Sequence, residues 1–110
     1  MDDRELLEMA AKSINRGIRF RALTNMPGAR EVPSLLNDDG TYTRWDPLES
    51  DGDAFRLALK LQIKIEYAPE MDSVICSLPG SQGGTSVAAI GDVELRYAIV
   101  KAAAQLGLTL

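Results

Sequence analysis

The chain of 110 residues contains no histidine and a single cysteine, Cys76. Without histidine, neither a Ser–His nor a Cys–His nucleophile pair can form within one chain, and imidazole can hold no metal. One thiol permits no internal disulfide and no cysteine-based zinc site. No apolar run approaches the ~18 residues of a membrane span. The opening MDDRELLEMA alternates charged with apolar residues, unlike a secretory signal. Basic residues are the minority, 12 Lys and Arg against 16 Asp and Glu for a net charge of −4. That balance favours solubility and weighs against a general binder of nucleic acid or anionic membranes. Any catalysis would rest on carboxylates, Lys, Arg, Tyr, hydroxyls or a bound cation. The expectation is a protein of a reducing cytoplasm with no cofactor.

What is present suffices for one α+β domain over 1–110. Apolar residues make up 45%, and a domain of this size buries roughly two-thirds of its unfolded surface. DDRELLEMAAKSINRG (2–17) predicts a first helix, with Leu6, Leu7, Ala10 and Ile14 on one face. Asp2 and Glu5 have capping-box spacing, Glu8 and Lys12 suit an i,i+4 pair, and Gly17 is a natural residue past the helix end. IRFRAL (18–23) alternates like a half-buried strand. VPSLLNDDGTYTRW predicts two short strands around an Asp39–Gly40 turn, with Pro33 at an edge or a strand start.

Ser50 is a strong N-cap before a second helix. Ala54, Leu57, Ala58 and Leu61 form its apolar face, and Phe55 and Leu59 widen it, which predicts burial over much of the circumference. IKIEY (63–67) and SVICSL (73–78) read as a hairpin, and TSVAAI reads as a last short strand. The closing helix is predicted from about Asp92 to Leu106.

Each candidate site has a plainer reading beside it. Asp46, Glu49, Asp51 and Asp53 offer oxygen ligands, yet counting back from Gly52 puts Pro47 where a calcium loop needs its first acid. Acids at a helix start account for Asp51 and Asp53 without a metal, so no metal and no catalytic residue is assigned. Arg16, Arg19, Arg21 and Arg30 form a basic stretch suited to phosphates, or an ordinary solvated face. PGSQGGTS has the glycines of a phosphate loop but lacks its Gly-Lys-Ser/Thr ending. Tyr42 and Trp45 are expected to share a strand face, where they would bind a ligand or partner, although a lone Trp is more often a core anchor. Arg96 falls inside the apolar arc of the last helix, with Asp92 as a ready partner, or is free to bind a carboxylate on another chain. Cys76 is most simply a small buried residue.

WDPLESDGDAFRLALKL, followed later by LRYAIVKAAAQLG, resembles a family of small phage and prophage proteins described as a phage ABA sandwich domain. Trp45, Pro47, Leu48, Asp51, Gly52, Asp53 and Ala54 match its first motif. Arg96, Ala98, Ile99, Val100 and Ala102–Ala104 match its second. Asp46 stands where the family usually has Asn. The resemblance implies helices on both faces of a sheet, and it brings no activity, cofactor or catalytic residue.

The fold expected is α+β, a mostly antiparallel sheet of four to five strands with three helices in an αβα sandwich-like arrangement. The resemblance implies that the first and last helices share one face of the sheet. The functional expectation is a non-enzymatic phage or prophage accessory protein of the bacterial cytoplasm. It would bind an unidentified host or phage protein, with a homodimer as one option. Two alternatives stay open: nucleic-acid association through Arg16–Arg30, and a small ligand- or cation-binding domain around Trp45 and the acidic loop.

Overall fold

In the computed structural model, residues 2–22, 24, 26–79, 85–89 and 91–108 are described, with the backbone alone for 85–89. The order is α1 (Asp3–Ser13), β1 (Ile18–Ala22), β2 (Glu31–Leu36), β3 (Tyr42–Arg44), α2 (Asp51–Leu61), β4 (Lys64–Ala68), β5 (Ser73–Ser77), β6 (Thr85–Ala89) and α3 (Asp92–Leu108). Among the described residues the class is α+β, with three helices and antiparallel pairing between all paired strands. The strands, however, form two three-stranded sheets, β1-β2-β3 and β4-β5-β6, in place of one sheet of four to five strands. α2 sits between the two sets in sequence, so each half of the chain closes its own meander.

Local chemistry explains the boundaries. The Asp2 carboxylate accepts from the Glu5 backbone N–H at 2.8 Å, capping α1. The helix stops at Ser13 because Asn15 turns left-handed at φ 57°. Gly17 therefore does not end the helix; its carbonyl accepts from Leu36 N and extends the β1–β2 pairing. Glu8 pairs with Arg4, one turn before it, and not with Lys12. Ser50 Oγ accepts from Asp53 N at 3.2 Å and caps α2 as predicted. The β2–β3 turn also follows the expectation, with Asn37 and Thr41 paired across Gly40 at φ 86°.

Pro33 departs from its expected place, since it lies inside β2, the central strand of its sheet. The β3 ladder reaches only Ser34. Just past that end, the Pro33 carbonyl accepts from Trp45 N at 2.9 Å. The proline nitrogen points to the same side as its carbonyl, towards Trp45, so the one ladder bond it cannot make falls at the very end of β3.

One core runs through all three helices and both sheets. α3 is its axis and packs against α1, α2, β5 and β6. The α1–α3 contact is tight because small residues line it: Ala10, Ala11 and Ala103 are fully buried. A Cβ placed on Gly107 would lie 2.0 Å from the Met9 carbonyl oxygen. No helix of the described residues is long and apolar enough to cross a membrane.

Candidate interaction surface

α2 buries less than its pattern predicts. Ala54, Leu57 and Ala58 are buried, whereas Phe55 and Leu59, expected to extend the covered stripe, are 60% and 62% exposed. Nothing among the described residues covers this half of the stripe. Beside it, Ile65 and Tyr67 of β4 are 43% and 59% exposed. Their cross-strand neighbours are Cys76 and Val74, the first buried and the second packed against the core, and cross-strand neighbours share a sheet face. Ile65 and Tyr67 thus lie on the core-facing side of the second sheet, yet the helical layer stops short of them.

Between α2, β4 and α3 runs a groove of about 470 Å³. Ala54, Phe55, Ile65, Leu95 and Ile99 give it an apolar floor, and Asp51, Asp92 and Arg96 form its rim. The rim Arg is already engaged. Arg96 Nε donates to the Leu48 carbonyl at 2.9 Å, and Nη1 donates to Asp51 Oδ1 at 2.5 Å. Asp51, from the start of α2, takes the place expected for Asp92.

The acidic loop of the first motif is a self-contained turn. Asp46 is buried, and its Oδ1 accepts from Leu48 N at 3.3 Å. Its own backbone N–H donates to Asp53 Oδ2 at 2.9 Å. Asp53 Oδ1 in turn accepts from Arg56 at 2.7 Å, and Glu49 accepts from Arg30 at 3.0 Å. The four carboxylates thus have four different sets of donors. Burial, aided by the charge of Glu49, pushes the Asp46 carboxyl above its ordinary value, against the pull of the Leu48 N–H and of Arg30 and Arg44. Nearby, hydrogen bonding to the Asp3 carboxylate, together with burial, pushes the Tyr97 phenol up to about 12.

The basic stretch is dispersed. Arg16 donates to the Leu36 carbonyl and to Asn37 Oδ1, and Arg30 pairs with Glu49. Arg19 and Arg21 remain on one face of β1, where the pairing register adds Arg44, a residue the sequence reading passed over. Its signal was the two-residue spacing from Tyr42. Arg21 stacks on the Tyr42 ring with Cζ 4.8 Å from the centroid.

Tyr42 and Trp45 do not share a face. Three positions apart, they point to opposite sides of the strand; Tyr42 lies under Arg21, while Trp45 is 7% exposed within the core. Cys76 is fully buried, and burial raises its thiol. The glycine-rich loop after Pro79 lies outside the described residues, as does Ile90 of the expected last strand.

The exposed apolar surface of α2 and β4 was legible only as an excess. The α2 stripe is wider than one packing partner needs, and IKIEY alternates apolar with charged residues at a sheet edge. Compared with family models, curated proteins and solved structures, the chain matches none.

Proposed function

We propose that this chain is a non-enzymatic protein-interaction module whose docking surface is the shelf formed by Phe55, Leu59, Ile65 and Tyr67. The observation that carries the reading is the exposure of these four large side chains, Phe55 and Leu59 one turn apart on α2 and Ile65 and Tyr67 on one face of β4, with Phe55 and Ile65 lining one groove. A contiguous apolar surface rimmed by charged residues is where association returns hydrophobic free energy, at ~25 cal/mol per Å² buried. A phage or prophage origin and a bacterial cytoplasmic setting rest on the two motifs, WDPLESDGDA and RYAIVKAAA.

The test compares proteins retained by the wild-type chain with those retained by a Phe55→Asp, Leu59→Asp variant whose helical signal is intact. A partner that the wild type holds and the variant releases supports the reading. A partner held equally by both removes the shelf from it.

A second reading rests on the first sheet. Arg19, Arg21 and Arg44 share one face with Tyr42 and no acidic side chain, a surface that suits a phosphate backbone. Salt-dependent retention of single- or double-stranded nucleic acid, lost on replacing the three arginines by Ala, is its signature. Retention that ignores those replacements removes it.

A further inference from the structure

We infer that β4 is a homodimer interface, through which two copies of this chain join their second sheets about a two-fold axis at Ile65. The inference rests on the interaction reading and names the partner that the β4 side of the shelf accepts.

β4 is an edge strand, paired on one side with β5 and, among the described residues, with nothing on the other. An exposed edge offers unpaired backbone N–H and C=O groups to any strand that fits. The segment Ile63-Lys64-Ile65-Glu66-Tyr67 fits an antiparallel copy of itself. A two-fold axis at Ile65 sets Ile65 against Ile65, Lys64 against Glu66, Glu66 against Lys64, and Ile63 against Tyr67 of the second copy. Every charged pair across the axis is of opposite sign, and every apolar side chain meets an apolar one.

The alternation also sorts the two faces. Lys64 and Glu66 lie on one face, where they already form an ion pair within the chain. Ile65 and Tyr67 lie on the other, after the buried Ile63 that leads into the strand, and Ile65 lines the groove with Phe55. Pairing would extend the uncovered apolar strip across the axis and join three strands to three. An isologous interface demands this self-complementarity, because one patch must recognise itself. Among the other edge strands, β1 sets Arg19 and Arg21 on one face, β3 has only three residues, and β6, with the sequence TSVAA, has no charged residues to pair, so none offers the same match.

The decisive experiment uses charge reversal and sedimentation. Wild type is expected to reach twice the 12.0 kDa monomer mass with rising concentration. Lys64→Glu sets Glu against Glu across the axis twice, and Glu66→Lys sets Lys against Lys twice. Each variant alone should dimerise at least about tenfold more weakly, from the energies typical of cross-strand charge pairs. Mixing the two variants should restore the dimer, because every cross-axis pair is then Glu against Lys, although neither chain regains its internal ion pair. Circular dichroism of each variant controls for folding.

A wild type that stays monomeric at every concentration, or a dimer indifferent to both reversals and to their mixing, overturns the inference. A monomer that still loses a bound partner on Phe55→Asp, Leu59→Asp would overturn the dimer alone. A monomer whose bound proteins ignore that change would overturn the interaction reading with it.

Discussion

Arg96 Nε donates a 2.9 Å hydrogen bond to the carbonyl of Leu48, 48 positions earlier in the chain. That single contact ties the RYAIVKAAA segment of α3 to the WDPLESDGDA segment that leads into α2. It holds the turn before α2 against α3, and the same guanidinium reaches Asp51 at the α2 start. The Arg96 side chain is 16% exposed and the Asp51 side chain 78%, so the two partners should respond very differently to substitution. Arg96→Ala leaves the Leu48 carbonyl without its charged donor and should cost about 1.5–3 kcal/mol. Asp51→Asn should cost less than about 1 kcal/mol, since an exposed carboxylate loses little. Urea unfolding of both variants measures the contrast, and equal losses would show that the ion pair outweighs the carbonyl contact.

Asp46 carries a buried carboxyl raised above its ordinary value of 3.8. A folded-state pKa above the unfolded value means that the folded state holds the proton more tightly. Stability from this group is therefore greatest below the unfolded value and declines as pH rises through the folded one. Asp46→Asn keeps the oxygen that accepts from Leu48 N and removes the charge. The variant should be more stable than the wild type at pH 7, with a higher Tm. The gain should shrink as pH falls through the raised folded-state value and be gone below the ordinary 3.8. Thermal melts at pH 7 and pH 3.5 check it; a gain that persists undiminished in acid would point to a cause other than the buried charge.

Gly107 is needed for lack of a side chain and not for its backbone freedom. It sits inside α3, where alanine would ordinarily help by ~1 kcal/mol. Here the new Cβ meets Met9 backbone atoms at 2.0 and 2.7 Å, which have no flexible end to yield. Gly107→Ala should therefore destabilise by about 1–3 kcal/mol net, through separation of α1 from α3. Chemical denaturation gives the value, and a neutral or stabilising result would mean that the two helices part freely.

The Tyr97 phenol, raised to about 12 by Asp3, burial and the charges of Asp46 and Glu49, gives a spectroscopic test. Its folded pKa exceeds the ordinary 10.0. The stability it contributes is thus fully present below pH 10 and is lost as pH rises through about 12. Tyrosinate absorbance should show one residue ionising late in the folded protein, and Asp3→Asn should bring that step to lower pH. An unchanged titration in the variant would remove Asp3 as the main cause.

The features readable without a structure are those decided by neighbours along the chain. Asp2 and Ser50 cap their helices because the group each satisfies is a backbone N–H three residues later. The turn at Gly40 follows from the Asn37–Thr41 segment alone, and the alternation in 18–22 and 64–68 marks strands whatever lies beside them. Periodicity also located the α2 apolar stripe, because the angular position of a side chain on a helix depends only on its residue number.

Tertiary structure decided what those local units meet. Helical spacing offered Arg96 a partner in Asp92, but α3 packs beside the α2 start and brings Asp51 to the guanidinium instead. Pro33 fits a central strand only because β3 ends one residue short of it. Which half of the α2 stripe stays bare depends on where α3 lies and on how far β4 reaches beyond the helical layer. Such relations join residues far apart in the chain, and no local propensity encodes the distance between them.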